Sequence, residues 1–298
     1  MGKFFDALGK LQKPAAQDAP RPVPAGQGAA GSPPDKVVKL PSDDIEKLRL
    51  YPSAQVDVLP PPDVNVSATD QRLVCLREPT SPAAESFRIL RSKLLDSSLG
   101  EPRRVIMVTS PEPQDGKTLF TANLAVSIAL GINSHVLLVD CDLRRPALHR
   151  IFGLKGKKRG LREYLEEGSS VGSYLFKTQV EKLTLLPAGR PLDSPSELLS
   201  SPKMRLLTEE IKERYQDRFL ILDTPPAQFF ADAASLFSIV DGVLVIVRSG
   251  KTCRNLVQDV ITNIGRERIL GIVFNASNDA QRSYRYYDRY YRKPPQPR

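Results

Sequence analysis

Short apolar runs recur along the chain between residues 105 and 275, separated by stretches with helical periodicity. The runs are rich in Val, Ile and Leu, which is typical of parallel strands buried on both faces. They cover Val105–Val108, His135–Asp140, Leu183–Leu186, Phe219–Asp223, Gly242–Val247 and Ile269–Phe274. Helices are predicted over Ala83–Leu95, Leu119–Leu130, Gly160–Glu166, Ser194–Leu199 and Met204–Tyr215, and another begins at Asp232. This alternation predicts an α/β fold with a doubly wound, mostly parallel sheet flanked by helices.

The pattern weakens towards both ends of the sequence. Residues 1–71 combine a short amphipathic start, which is either a docking helix or a frayed terminus, with a Pro- and Ala-rich stretch expected to be a flexible tether. Residues 72–280 are expected to form the ordered domain, and residues 281–298 a Tyr- and Arg-rich tail. Within the domain, Ser81-Pro82 and Ser194-Pro195 are expected to cap helices, with Pro in the first turn.

The first strand leads to Gly116-Lys117-Thr118, and a helix follows. A strand, a turn, Gly-Lys-Thr and a helix in this order form a phosphate-binding loop of the P-loop NTPase type. Backbone N–H groups and the helix dipole would face the phosphates of ATP. Lys117 would neutralise the β and γ oxygens, and Thr118 would ligate Mg²⁺. The eight-residue loop pattern is incomplete, because Pro111 stands at its first position.

Acidic side chains follow two of the predicted strands. Asp140 ends one strand, with Asp142 two residues later, and Asp223 ends another. Open parallel sheets bind ligands at this edge, where carboxylates can hold Mg²⁺ and accept the proton of an attacking hydroxyl. The alternative for Asp140 and Asp142 is ordinary turn chemistry at a strand end.

Charge and cysteine content indicate the kind of binding partner and the redox conditions of the compartment. A net charge of +9 favours an acidic partner, whether a nucleotide, a nucleic acid or an anionic membrane. Cys75, Cys141 and Cys253 are widely spaced, which favours a reducing cytoplasm over disulfides or a metal cluster. No apolar run approaches the roughly 20 residues of a membrane-spanning helix, so membrane recruitment would require a separate protein.

A charged stripe on one predicted helix and the tyrosine-rich tail are candidate interaction surfaces. Glu85, Arg88 and Arg91 form a stripe at helical spacing, either a solvated salt-bridged face or a subunit contact. The tail carries Tyr284, Tyr286, Tyr287, Tyr290 and Tyr291 interleaved with arginines. It could bind single-stranded nucleic acid by stacking, present tyrosines for phosphorylation, or simply be solvated.

Together these motifs resemble the cytoplasmic domain of the bacterial tyrosine autokinases (BY-kinases), which regulate exopolysaccharide and capsule assembly. The resemblance covers about residues 78–291 and includes the Glu85-x-x-Arg88-x-x-Arg91 stripe and the C-terminal tyrosine cluster. Its other elements are TS-x-x-P before GKT, LLVDCDLRRP, LPAGRPLDSPSELLSS, ILDTPP and the trailing Asn275.

The resemblance implies an ATP- and Mg²⁺-dependent kinase that phosphorylates its own tail tyrosines between subunits of a ring. It implies that Lys117, Asp140, Asp142 and Asp223 are catalytic, and that Thr118, Asp140 and Asp223 serve the metal. Gln114, Asp115, Gly116, Lys117, Thr118, Leu119 and Asn275 would bind the nucleotide. Glu85, Arg88 and Arg91 would join the subunits. Implied partners are a separate transmembrane polysaccharide co-polymerase that activates the kinase at the inner face of the membrane, and a tyrosine phosphatase.

The loop departs from the family pattern at two positions. Gln114 stands where the family usually has Gly, so a positive φ there would cost about 1 kcal/mol. Asp115 adds an anion near the phosphates. The rivals to the kinase are a partitioning or septum-positioning ATPase, whose second loop position carries Lys where this chain has Glu112, and a nucleic-acid-binding module.

Overall fold

The structure is a computed structural model, which describes residues 69–96, 103–154, 159–167, 170–214, 217–227 and 231–277. Residues 1–68 of the N-terminal tether predicted from the sequence, and all of the tyrosine tail, lie outside these residues.

A seven-stranded sheet forms the centre of the described region, in the order β3-β4-β2-β5-β1-β6-β7. Its strands are β1 Val105–Thr109, β2 His135–Asp140, β3 Phe176–Lys177, β4 Leu183–Leu186, β5 Arg218–Asp223, β6 Gly242–Arg248 and β7 Ile269–Asn275. All neighbouring pairs are parallel except β3 with β4. The predicted doubly wound sheet is therefore confirmed, and the two-residue edge strand β3 is an addition to it.

Helices connect these strands. They are α1 Val74–Arg77, α2 Pro82–Leu94, α3 Lys117–Ala129, α4 Leu148–Ile151, α5 Leu161–Glu167, α6 Ser196–Leu199, α7 Pro202–Arg214, α8 Ala231–Ala234 and α9 Arg254–Ile264. The Ser81 hydroxyl caps α2 by accepting the Ala84 N–H at 3.2 Å, as predicted. The cap predicted at Ser194 is wrong, because α6 begins at Ser196 with Pro195 at its N-cap and no side-chain bond. A Pro side chain has no acceptor to offer at that position.

Both faces of the sheet are buried, as its apolar strands require. Along β1, Val105 and Met107 join the core on one face, whereas Ile106 and Val108 join the core on the other. Helix α3 packs on the second face and is buried along most of its length. The Phe120 ring lies 5.2 Å from that of Phe87, which joins α3 to α2. Packing on this face of the sheet thus holds α3, the helix that begins within the Gly-Lys-Thr sequence.

The strand order brings the predicted acidic residues together. Strand β5 lies between β1 and β2, and Asp223 is in register with Val108 on one side and Asp140 on the other. Since these strands are parallel, their carboxyl ends and the loop after β1 share one edge of the sheet. Within the described residues, no helix is long and apolar enough to span a membrane.

Candidate nucleotide-binding site

The loop after β1 has the backbone of an anion cradle. Gln114 has a φ of 68° and Gly116, the N-cap of α3, a φ of 91°. Across the described residues, the backbone N–H groups from Gln114 to Thr118 donate to no protein acceptor. Consecutive free N–H groups at a helix N-terminus form a phosphate-binding concavity. The positive φ at Gln114 is the strained conformation anticipated from the sequence.

Lys117, at the first position of α3, is buried with a carboxylate partner. Its Nζ lies 3.0 Å from Oδ2 of Asp142 and donates to the Thr118 hydroxyl at 3.3 Å. Burial alone would lower the pKa of Lys117, but the carboxylates of Asp223 and Asp142 outweigh it and raise that pKa. Lys117 is therefore a fixed positive charge at the mouth of the loop.

Asp140 and Asp223 lie side by side and fully buried at the ends of β2 and β5. Burial, followed by the Asp223 carboxylate, raises the pKa of Asp140. Burial also raises the pKa of Asp223, against the opposing effect of the Lys117 ammonium. Two adjacent buried carboxyl groups need a compensating cation to ionise together.

The oxygens of these carboxyl groups differ in what they accept. One Asp140 oxygen accepts the Asp142 N–H, and the other accepts the N–H groups of Ala147 and Leu148. Oδ1 of Asp223 accepts the Thr121 hydroxyl at 3.1 Å, whereas its buried Oδ2 has no hydrogen-bond partner among the residues that the structure describes. An unpaired buried carboxylate oxygen beside the Thr118 hydroxyl fits a hard cation such as Mg²⁺, which takes few protein ligands when phosphates and water supply the rest.

Residues beyond the Gly-Lys-Thr sequence hold the loop. The Asn275 side-chain amide, at the end of β7, donates to the Asp115 carbonyl at 2.8 Å. It also occupies the space of a Gly116 side chain, since a Cβ there would lie 2.2 Å from Asn275 Nδ2. The Asp115 carboxylate is buried and accepts the Thr252 hydroxyl at 2.7 Å and the Glu112 N–H at 3.1 Å. Leu119 lies half-buried in the first turn of α3.

Sequence reasoning missed Arg248 and Thr252, which line the loop from the end of β6 and the turn after it. It also missed two ion pairs that fix neighbouring loops. Arg144 Nε donates to the buried Asp232 at 2.7 Å, and Arg190 Nε donates to the buried Glu163 at 2.9 Å. Because each pair joins residues far apart in sequence, spacing carried no signal for it.

The Glu85, Arg88 and Arg91 stripe lies on α2, a different element from the strands that end in Asp140 and Asp223. Arg88 pairs with Glu85 and donates to the Pro79 carbonyl, while Arg91 donates to the Ser127 carbonyl on α3 at 2.6 Å. Beside them is a cavity of about 220 Å³ lined by Cys75, Pro79, Ala84, Arg88, Arg91, Ser127 and Leu130. Within the described part of the chain, the buried Ser127 hydroxyl has no hydrogen-bond partner.

Known proteins similar to this chain identify its family. Residues 106–296 match the CobQ/CobB/MinD/ParA nucleotide binding domain. The chain is 32% identical over 222 residues to the putative tyrosine-protein kinase EpsB of Ralstonia nicotianae, covering 74% of this chain and 29% of that protein. It is also 32% identical over 224 residues to the tyrosine-protein kinase YwqD of Bacillus subtilis, covering 74% of this chain and 93% of that protein. The chain belongs to the bacterial tyrosine kinase family.

A solved structure agrees with this assignment. The kinase domain of the Escherichia coli tyrosine kinase ETK superposes with a TM-score of 0.62 at 27% identity, covering 69% of this chain and 82% of that one. The resemblance stated from the motifs is thereby confirmed, as is the nucleotide-binding domain. Relative to EpsB, the chain spans less than a third of the relative's length. As a member of this bacterial tyrosine kinase family, the chain carries the phosphate loop and the paired aspartates at one sheet edge.

Proposed function

We propose that this protein is an ATP- and Mg²⁺-dependent tyrosine autokinase that phosphorylates its own C-terminal tyrosines between subunits and so regulates exopolysaccharide or capsule assembly. The observation that carries the proposal is the convergence of Lys117, Asp140 and Asp223 with a concavity of free N–H groups, in a chain of this family. Phosphoryl transfer chiefly requires positioning and charge neutralisation, which this arrangement supplies.

The proposed roles follow from the contacts. The N–H groups from Gln114 to Thr118 hold the phosphates of ATP, and Lys117 leaves Asp142 to contact the β and γ oxygens. Leu119, in the first turn of α3, and Asn275 bind beside this cradle. Thr118 and Asp223 would hold Mg²⁺, and Asp140 would support it less directly, because backbone N–H groups already occupy the Asp140 oxygens. When bound, Mg²⁺ would screen the charge on the phosphates.

The chemical step places the proton on an aspartate. A tyrosine oxygen bonds to the γ phosphorus while the bond to the β-phosphate oxygen breaks, and ADP leaves. Asp140 lies beside the incoming hydroxyl. Oδ2 of Asp142, released when Lys117 turns to the phosphates, accepts the phenolic proton.

The substrate tyrosines are Tyr284, Tyr286, Tyr287, Tyr290 and Tyr291, which lie outside the described residues. Transfer between subunits rests on the Glu85, Arg88 and Arg91 stripe, whose cavity and unpaired Ser127 hydroxyl can accept a polar group from a neighbouring copy in a ring. A tail presented by a neighbour is a tethered substrate at high effective concentration. A separate transmembrane co-polymerase activates the kinase at the inner face of the membrane, and a tyrosine phosphatase removes the phosphates. We expect no nucleic-acid partner.

The test separates transfer between copies from transfer within one copy. The full chain carrying Lys117→Met, with its tyrosines intact, is mixed with a chain whose five tail tyrosines are changed to Phe, and ATP and Mg²⁺ are added. Phosphotyrosine on the Lys117→Met chain, mapped by mass spectrometry to residues 284–291, is the expected result. Neither chain alone should acquire it. Lys177→Met, at an exposed lysine of β3, is the control and retains activity.

Other outcomes would overturn the proposal. Turnover of ATP without phosphotyrosine, also when the membrane activator is supplied, indicates an ATPase switch of the partitioning type. Salt-sensitive oligonucleotide binding without turnover indicates a nucleic-acid-binding module.

A further inference from the structure

The outer side of the phosphate loop is joined to the turn that follows β6. Asp115 is 2% exposed, and its two oxygens have different partners. Oδ1 accepts the hydroxyl of Thr252 at 2.7 Å, and Oδ2 accepts the backbone N–H of Glu112 at 3.1 Å. The carboxylate that the sequence placed near the phosphates is therefore occupied by the loop itself and by Thr252.

Thr252 is itself held in place. Its Oγ1 accepts the Arg248 backbone N–H at 3.0 Å, and its own N–H donates to the Arg248 carbonyl at 3.1 Å. The Ser249 N–H donates to the Asn275 carbonyl at 2.9 Å, which ties the turn to the end of β7. The donor that reaches Asp115 thus comes from a closed turn fixed to two strands.

The same strand ends also bind the loop carbonyls. The Arg248 guanidinium donates to the Gln114 carbonyl at 3.0 Å, and the Asn275 amide donates to the Asp115 carbonyl at 2.8 Å. Among the described residues, the N–H groups from Gln114 to Thr118 have no protein acceptor. The loop is therefore held with its donors available before any phosphate arrives.

This bracing has a physical reason. A non-glycine residue at positive φ, as at Gln114, persists only where the surrounding contacts over-determine its conformation. A buried carboxylate that lost a donor would be left with an unsatisfied oxygen close to the phosphate cradle.

We infer that Asp115 and Thr252 form a positioning pair that sets ATP affinity by holding the phosphate loop in its binding conformation. The inference rests on the proposed ATP binding and assigns the pair no part in proton transfer. Disturbing the pair should raise the KM for ATP while leaving the rate at saturating ATP unchanged, because bound phosphates restore the loop conformation.

The experiment compares Thr252→Val, which keeps the shape and removes the hydroxyl, with Thr252→Ser, which keeps the hydroxyl. Thr262→Val, at an exposed threonine on α9 whose hydroxyl bonds to the Gln258 carbonyl, is the matched control. Thr252→Val should raise the Kd and KM for ATP about tenfold, in keeping with loss of a hydrogen bond to a charged group, with less than a twofold change in rate at saturation. Thr252→Ser and Thr262→Val should stay within twofold of the parent in both quantities.

A second measurement requires no nucleotide. Amide hydrogen exchange of the peptide covering residues 111–118 in the nucleotide-free full chain should be several-fold faster in Thr252→Val than in Thr252→Ser or Thr262→Val. In addition, Thr252→Val should weaken ATP binding less in an Asp115→Ala background than in the parent, because the bond between the two side chains is already absent there.

Two results would overturn the inference. The first is that Thr252→Val has the same ATP affinity and the same amide hydrogen exchange in residues 111–118 as the parent. The second is that its rate at saturating ATP falls while its KM for ATP is unchanged. Parent protein that binds no ATP would instead contradict the proposed function, and the exchange measurement would still decide whether the pair holds the loop.

Discussion

Lys117 and Asp142 form a buried ion pair, with Nζ 3.0 Å from Oδ2 and each side chain 11% exposed. The ammonium that is proposed to bind phosphate is therefore already engaged in the nucleotide-free protein. In the proposed function, ATP binding would exchange one anionic partner of Lys117 for another, and the exchange would free an acceptor oxygen on Asp142.

Asp142→Asn should separate binding from chemistry. The Kd for ATP should remain equal or fall a few-fold, because Lys117 no longer has to leave a buried carboxylate. The rate of tyrosine phosphorylation at saturating ATP should fall about 10²-fold or more, because the variant lacks the proposed proton acceptor. Nucleotide titration and single-turnover phosphotyrosine analysis measure the two quantities. Asp259→Asn, at an exposed position on α9, should alter neither. Weaker ATP binding at an unchanged rate would contradict the assigned role.

Asp223→Asn should stabilise the protein in metal-free buffer while abolishing phosphorylation. The raised pKa of Asp223, caused mainly by burial, means that folding favours its protonated form. Its contribution to the free energy of unfolding is therefore favourable below the unfolded pKa of Asp and declines as pH rises towards the higher folded pKa. The gain in Tm from Asp223→Asn should accordingly be larger at pH 8 than at pH 5.

Added Mg²⁺ with ATP should raise the Tm of the parent and leave that of Asp223→Asn nearly unchanged. A variant less stable than the parent at pH 8 would show that the unpaired Oδ2 of Asp223 carries no electrostatic cost.

Gln114→Gly tests the strain in the phosphate loop. Because Gln114 has a φ of 68°, replacement by Gly should raise the free energy of unfolding by up to about 1 kcal/mol. Gln114→Ala keeps the strain and should leave the free energy of unfolding unchanged. Urea unfolding monitored by circular dichroism measures both. Destabilisation by Gly would mean that lost backbone entropy outweighs the strain.

Replacing both Glu85 and Arg88 with Ala should prevent formation of the proposed ring and reduce the proposed phosphorylation between subunits. The pair is partly exposed, so its loss should change the free energy of unfolding by less than about 1 kcal/mol. Sedimentation velocity detects the change in mass, with Arg254→Ala on α9 as the control for an exposed arginine.

Arg91 also has a structural contact within one copy. It donates to the Ser127 carbonyl and so joins α2 to α3 within one copy, which means that Arg91→Ala should also lower the Tm. A double variant of Glu85 and Arg88 that remains oligomeric would contradict the proposed subunit contact.

The sequence by itself determined most of the strands of the sheet and the doubly wound architecture. Strands buried on both faces show as unbroken apolar runs, and so β2 and β4 were predicted with the bounds they have. The Gly-Lys-Thr sequence after a strand placed Lys117 between β1 and a helix, because a strand, loop and helix in this order form one local unit. The helix itself begins at Lys117, two residues before the predicted start at Leu119. Helix α9 was missed, although Val257, Val260 and Ile264 have helical spacing, and β3 is too short to show a pattern.

Only the tertiary structure decided which of these residues meet. Asp140 adjoins Asp223 because β5 lies between β1 and β2, an order that no local pattern encodes. The Thr252 hydroxyl reaches Asp115, and Arg91 reaches Ser127, across long separations in sequence. Local periodicity reports which side of an element is buried, but the partner on that side depends on how the sheet is ordered and packed.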